Sequence, residues 1–247
     1  MHRLILALAA LFASFNAAHA DPEALWKIVS EKCVPNEREY GQPSPCTLVD
    51  LDKGYVILKD IVGATQFLLI PTAKVTGIED KTLLAPGAPN YFADAWNERH
   101  FTVDAAKRDL PRDVLSLAIN SVYGRSQNQL HIHIDCIAPR VHDAIAKNIA
   151  AVGDGWAPFP TPLAGHPYRA RRVTGDGLAG FDPFASLADG IPGARTAMDK
   201  ETIVVVGASF PGGASGFVVL SDTADPASGD RGSGEELQDH SCVLARP

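Results

Sequence analysis

The chain has 247 residues and a formal net charge of -7, with 46% hydrophobic and 21% charged residues. This composition excludes a disordered or fibrous protein. The acidic balance argues against broad electrostatic capture of nucleic acid, so we predict no nucleic-acid partner. With 21 glycines and 18 prolines, the chain favours many turns and short elements over a long helical bundle.

The N-terminus has the pattern of an export signal. Arg3 is followed by an apolar run from Leu4 to Phe15 and then by Ala18-His19-Ala20, a small-x-small cleavage site. We therefore predict a signal peptide over residues 1–20 and one mature domain over residues 21–247. The apolar run is short for a membrane span, but an uncut segment that anchors the protein remains an alternative.

The cysteines agree with export. There are four, at positions 33, 46, 136 and 242, and an even number in an exported chain predicts two disulfides with three possible connectivities. Cys33 and Cys46 bracket a polar, proline-rich segment that a local bridge would close, which leaves Cys136 to pair with Cys242. Free buried thiols are less favoured in an oxidising compartment, and no CxxC pair suggests zinc.

Hydrophobic periodicity predicts an α+β domain around an antiparallel sheet. In chain order the predicted elements are a helix over 23–33, a loop to Cys46, strands over 47–59 and 66–71, a helix over 90–107, strands over 114–122 and 129–137, a helix over 142–151, a strand over 168–173, a helix start at 183–187, strands over 202–208 and 216–220, and a flexible loop over 222–234.

The segment most informative about function is QNQLHIHIDCI, residues 127–137. Side chains of a strand alternate between its two faces, so His131, His133 and Asp135 share one face and the intervening apolar residues share the other. Two histidines and a carboxylate in line are costly to bury without a function. Two alternatives are solvated histidines on an open face and a metal site, since HxH is a common ligand pair.

This stretch resembles the histidine-triad superfamily of nucleotide hydrolases and transferases, which carries His-φ-His-φ-His-φ-φ with φ apolar. Asp135 stands in the third slot, where some branches have another polar residue. Asn120 lies at the family's spacing of eleven residues before the first histidine, Gln127 and Asn128 precede the strand, and Phe67–Pro71 resembles a family strand that ends in Ile-Pro. The resemblance implies a histidine-triad-like antiparallel sheet with flanking helices and a C-terminal β-rich extension.

Four segments together narrow the resemblance to the bacterial CDP-diacylglycerol pyrophosphatase family. They are FLLIPTAKVTGIED, NYFADAWNER, LSLAINSVYGRSQNQLHIHIDCI and EELQDHSC, which lie within residues 66–242. The resemblance implies an enzyme that hydrolyses CDP-diacylglycerol to CMP and phosphatidate. It also implies a periplasmic location, with contact to the inner-membrane surface through the substrate.

The resemblance also implies roles for the three residues of the motif. His133, in the middle slot, is the expected nucleophile that forms a nucleotidyl-histidine and releases phosphatidate before water attacks. His131 orients the site, and Asp135 accepts an N–H from His133 or His131 to fix its tautomer. This mechanism needs no cofactor and no bound metal, and it leaves the general acid for the leaving group unassigned.

Further residues are candidates for substrate binding. Asn120, Asn128 and Gln129 are possible donors to the phosphates. Lys74 is either a contact to the leaving phosphate or a solvated lysine in a turn. His240 is either support for the site or a surface residue near the chain end.

Two other classes of function remain open from the sequence. A metal-dependent hydrolase would use His131, His133 and Asp135 as HxHxD ligands. The motif resembles the start of the metallo-β-lactamase fold, but that fold usually has a histidine where this chain has Cys136. A non-catalytic periplasmic protein that binds a nucleotide or lipid would keep the fold without turnover. The intact His133 argues against this second reading.

Overall fold

The computed structural model describes residues 21–245, so the predicted signal peptide lies outside the described residues. The helices are α1 (Ala24–Ile28), α2 (Val34–Tyr40), α3 (Tyr91–Asn97), α4 (His100–Ala106), α5 (Pro139–Asn148) and α6 (Pro183–Gly190), with a π-helical turn at Val29–Cys33 between α1 and α2. The strands are β1 (Leu48–Asp50), β2 (Tyr55–Lys59), β3 (Phe67–Pro71), β4 (Leu115–Ile119), β5 (Ile132–Cys136), β6 (Ala157–Pro158), β7 (Arg169–Thr174), β8 (Glu201–Ser209) and β9 (Ser215–Thr223).

The strands form one nine-stranded sheet in the order β1-β2-β3-β5-β4-β8-β9-β7-β6. Each neighbouring pair is antiparallel, and helices pack against the sheet, so the fold is α+β as the sequence predicts. The β-rich C-terminal part continues the same sheet, because β8 pairs with β4 and places Val205 opposite Leu117.

Several elements differ from the sequence prediction. The single helix predicted over 90–107 is two helices, α3 and α4. Residues 34–40 form helix α2 where a loop was predicted; Pro35 lies in its first turn, where its missing N–H costs nothing, and Gly41 closes it at φ 63°. The single strand predicted over 47–59 is a hairpin of β1 and β2, because the chain turns at Gly54, whose φ of 77° favours glycine.

The two faces of the sheet bury different clusters. On one face, Ile132 and Ile134 of β5 pack in a core with Trp96 of α3 and Phe184 of α6. The other face is covered in two places. Residues from the π-helical turn pack over β2 and β3, and residues from α5 pack over β8 and β9.

The polar face of β5 lies between these two coverings. His133 is opposite Leu68 of β3 on one side and Ala118 of β4 on the other. Leu68 belongs to the cluster under the N-terminal helices, whereas Ala118 belongs to the cluster under α5. The sheet therefore presents His133 in a gap between two packed helical layers.

Both predicted disulfides are present, Cys33–Cys46 and Cys136–Cys242. The second joins the end of β5 to the C-terminal segment across 106 positions of the sequence. Within residues 21–245, no helix is both long enough and apolar enough to span a membrane.

Candidate active site

His131 and His133 lie side by side at the start of β5. Their ring centroids are 4.9 Å apart, and both side chains are buried. Burial lowers the pKa of His131, and it lowers the pKa of His133 to about 3. Both rings are therefore neutral at neutral pH. The Nδ1 of His131 is 2.7 Å from the carbonyl oxygen of Gln129, so Nδ1 carries the proton of that ring.

Asp135 is fully buried, and its hydrogen bonds are not to His131 or His133. Its Oδ1 accepts hydrogen bonds from the Thr65 hydroxyl at 2.6 Å and the Cys136 N–H at 2.8 Å. Its Oδ2 is 2.9 Å from Nδ1 of His240. The sequence analysis expected Asp135 to fix the tautomer of His133 or His131, but its hydrogen bonds go to other groups, because the C-terminal segment brings His240 to it.

His240 is held over β5 by several contacts. The hydrogen bond to Asp135 raises the pKa of His240, and the charges of Asp135 and Glu235 add to that effect. The loop before β3 packs on it: Ala64 N–H donates to the His240 carbonyl at 2.9 Å, and Gly63, with φ 71°, leaves no room there for a Cβ. The site thus holds the His240 ring in place and favours its protonated form.

The carboxylate of Glu235 lies where these groups meet. Asn120 Nδ2 and Gln66 Nε2 each donate a hydrogen bond to it at 3.1 Å. His133 Nε2 is 3.4 Å and His240 Nε2 is 3.5 Å from its oxygens. Burial acts to raise the pKa of Glu235, but His133 and the two amide donors outweigh it and lower that pKa. The site is therefore a cradle of nitrogen groups around an anion.

Gln66 determines which nitrogen of His133 carries the proton. Its Nε2 is 2.5 Å from His133 Nδ1, and an amide nitrogen only donates, so Nδ1 is the acceptor in this state. The proton of the neutral ring is then on Nε2, which is 3.4 Å from Glu235 and makes no hydrogen bond to a described residue. Gln66 Oε1 is buried and has no hydrogen-bond partner among the described residues.

A pocket of about 320 Å³ opens beside this cradle. At its polar end lie His131, His133, Asn120 and Glu235. The rest of its wall is largely apolar, from Leu25, Ile28, Leu58, Leu68, Ile61 and Val62. Ile61 and Val62 are 100% and 50% exposed, so one side of the mouth is an exposed apolar turn. The pocket thus joins an anion site to an apolar rim.

Comparison with known proteins agrees with this chemistry. The family model described as CDP-diacylglycerol pyrophosphatase matches residues 20–246. The chain belongs to the CDP-diacylglycerol pyrophosphatase family. It is 41% identical over 241 residues to a CDP-diacylglycerol pyrophosphatase of Yersinia pestis, which covers 98% of this chain and 92% of the relative. By this membership it is a hydrolase.

Asn120 and Gln129 were both predicted to donate to the phosphates of the substrate. Asn120 lines the pocket, whereas Gln129 does not. The buried amide of Gln129 donates to the carbonyl oxygens of Pro71 and Ala73 at 3.1 and 2.8 Å. It ties the approach to β5 to the end of β3 and holds the backbone that carries His131.

Lys74 and Asn128 also lie outside the residues that line the pocket. Lys74 forms an ion pair with Glu23, and its Nζ is 5.3 Å from the ring centroid of Trp26. The side-chain oxygen of Asn128 accepts a hydrogen bond from Arg125 at 3.5 Å. Both side chains hold the N-terminal helix or the loop before β5 in place.

Three residues of the cradle were missed or left undecided by sequence reasoning. Glu235 and His240 both lie in EELQDHSC, a segment that carries the family resemblance, so their presence near the site was signalled without their roles. Gln66 directly precedes β3, and nothing local distinguishes it from a strand-end glutamine. Its role follows only from its contact with His133.

Proposed function

We propose that this protein hydrolyses CDP-diacylglycerol to CMP and phosphatidate through a covalent nucleotidyl-His133 intermediate. Family membership supports the substrate. The observation that supports the mechanism is the cradle of Asn120, Gln66, His133 and His240 nitrogens around the Glu235 carboxylate. Such groups bind phosphate oxygens equally well, and His133 is the nucleophile within that cradle.

In this proposal Glu235 holds the position of the substrate's α-phosphate until the substrate binds. A carboxylate and a phosphate cannot share the cradle, since two adjacent anions repel each other strongly in a buried site. The side chain of Glu235 is partly exposed, at 27%, which leaves it a way to swing toward solvent. Binding of the substrate thus exchanges one anion for another.

The ring of His133 must also change its tautomer. Attack requires a lone pair on Nε2, whereas the contact with Gln66 places the proton there. A half-turn of the Gln66 amide brings its unpartnered Oε1 to Nδ1, which then carries the proton and donates to that oxygen. The same turn removes an amide donor from Glu235. Release of Glu235 and activation of His133 are therefore linked.

The bond changes then follow in two steps. Nε2 of His133 forms a bond to the α-phosphorus, and the bond from that phosphorus to the bridging oxygen breaks. Phosphatidate leaves with the electron pair and receives a proton from Nε2 of His240, which Asp135 keeps protonated. In the second step His240 accepts a proton from the attacking water, and CMP leaves His133 with its ring neutral again.

The alternative metal site is not supported by this geometry. It needs Asp135 in one ligand group with His131 and His133, whereas both oxygens of Asp135 already bond to Thr65, Cys136 or His240. A non-catalytic binding protein would not need the His240 acid beside His133. Turnover of CDP-diacylglycerol by purified protein after exhaustive chelation separates both alternatives from the proposal.

The apolar rim of the pocket is the side that we assign to the lipid. Ile61 and Val62 project from the turn between β2 and β3, next to the cradle. The N-terminus of the described chain is at the same place, because Gln127, which lines the pocket, donates to the carbonyl of Asp21. The substrate's acyl chains would therefore lie beside Asp21, on the side that we assign to the periplasmic leaflet. Two disulfides suit that compartment.

The covalent intermediate is tested by rapid quenching with CDP-diacylglycerol labelled in either half. Label from the cytidine side should stay on the protein in an acid-labile, alkali-stable adduct, as expected for a phosphorus–nitrogen bond. Peptide mapping should place it on His133. Label retained from the lipid half, or water attack with no adduct at any quench time, would overturn the covalent mechanism.

A further inference from the structure

A second cluster of charged side chains lies outside the active site, where β9 and the loop after it meet the turn before β7. One ligand atom from each of His166, Asp222 and Asp230 lies within 4.8 Å of the other two. Nδ1 of His166 is 3.5 Å from Asp230 and 2.9 Å from Glu236. One imidazole nitrogen and several carboxylate oxygens thus converge on a single point.

Asp222 provides an independent sign that a ligand belongs here. Its side chain is 4% exposed, and its Oδ2 has no hydrogen-bond partner among the described residues. A buried carboxylate oxygen without a partner is costly. Asp222 shares the cluster with the Asp230 carboxylate, so a cation bound between the two side chains would satisfy this oxygen.

We propose that His166, Asp222 and Asp230 bind one divalent transition-metal ion, with Zn²⁺ and Mn²⁺ as the best matches. An imidazole together with carboxylates suits these ions, whereas Ca²⁺ and Mg²⁺ prefer oxygen ligands alone. Glu236 is positioned to act as a fourth ligand or as a partner to the His166 ring, since its carboxylate already contacts that ring and the Tyr168 hydroxyl.

The ion would fasten the C-terminal segment to the sheet. Asp222 is on β9, whereas Asp230 lies in the loop that follows it, and Asp230 also accepts the Gly232 N–H at 2.8 Å. The next residues form the short helix Gly234–Leu237, which carries Glu235 into the cradle. The ion is thus a structural element that does not touch the reacting atoms, and the metal-free chemistry proposed for His133 is unchanged.

Binding is tested on the mature protein after chelation and removal of the chelator. Titration with ZnCl2 and with MnCl2 should show one ion per chain, and the melting temperature should rise by about 5 °C at roughly 100 times Kd. CaCl2 and MgCl2 should give a much smaller rise. Absence of binding by both Zn²⁺ and Mn²⁺ would overturn the proposal and would indicate a cluster balanced by protons alone.

Matched variants locate the site. Asp222→Asn and Asp230→Asn, checked for folding by circular dichroism, should each weaken binding at least tenfold. Asp154→Asn, a surface change outside the cluster, should not. His133→Ala should also retain binding, whereas its loss in that variant alone would place the ion at the catalytic histidines. Because every readout is binding or melting, this proposal can fail while the proposed reaction stands.

Discussion

Asp135 and His240 form a partly buried pair, with Oδ2 and Nδ1 2.9 Å apart, although 105 positions separate them in the chain. Each lies beside one half of the same disulfide, since Cys136 follows Asp135 and Cys242 is two residues after His240. The bridge and the carboxylate together position the His240 ring near His133. Several properties of the enzyme depend on this pair.

The rate should show a plateau in its dependence on pH. Because the pKa of His240 is raised, the acid is present below that pKa and is lost as the pH rises through it, above 6.5. The nucleophile is neutral down to about pH 3, where His133 becomes protonated. His240→Gln should lower kcat by about 10²- to 10⁴-fold and abolish the alkaline limb. A variant that keeps that limb would show that another group titrates.

His133 and His131 should differ sharply on substitution. His133→Ala removes the atom that forms the bond, so kcat should fall more than about 10⁴-fold and no labelled adduct should form. His131→Ala removes only orientation, so a loss of about 10²-fold with an adduct still detectable is expected. Single-turnover quenching measures both effects. Near-normal turnover by His133→Ala would refute the assignment.

Glu235→Gln tests whether Glu235 only occupies the phosphate position or acts as a base in the reaction. Loss of the competing negative charge should lower KM by about 10-fold, in line with the strength of a charged hydrogen bond, and should leave kcat nearly unchanged. Glu39→Gln, an exposed change on α2, serves as the charge control. A large fall in kcat at constant KM would mean instead that Glu235 moves a proton in the reaction.

Gln66→Met tests the control of the His133 tautomer. The substitution roughly conserves volume but removes the amide that contacts Nδ1, so kcat should fall about 10- to 100-fold while KM changes less. The ¹⁵N chemical shifts of His133 should show a mixed tautomer in the variant and a proton on Nε2 in the unliganded native enzyme. A native ring with its proton on Nδ1 would contradict the proposed half-turn.

Ile61→Ser combined with Val62→Ser tests the lipid-facing rim. Loss of two exposed apolar side chains should reduce hydrolysis of vesicle-borne substrate by about 100-fold, since each contributes roughly 1.5 kcal/mol when buried. Detergent-dispersed substrate should be hydrolysed almost normally. Leu51→Ser, at the opposite end of β2, is the matched control. An equal loss on both substrates would indicate that Ile61 and Val62 bind the substrate in the pocket and do not contact the membrane.

Much of the sheet could be predicted because its signals are local. Alternation with a period of two places His131 and His133 on the same side of one strand. The apolar runs of β3, β8 and β9 predict strands without knowledge of the strands that pair with them. Helix α2 was missed because its proline and polar residues favour a loop, and a proline in the first turn of a helix leaves no periodic signal.

The sequence by itself placed His131 and His133 on one strand and predicted the disulfides, since these follow from spacing within a short segment or from counting. The choice of His133 as nucleophile rests on the family resemblance. The tertiary structure alone decided the rest of the site. Gln66 reaches His133 across 67 positions, and Glu235 reaches Asn120 across 115. Conversely, Gln129 belongs to the same motif as His131, but its amide donates to the backbone of β3 and of the turn after it. Local periodicity gives the face of a strand, whereas the partner of a polar side chain depends on which distant segment packs on that face.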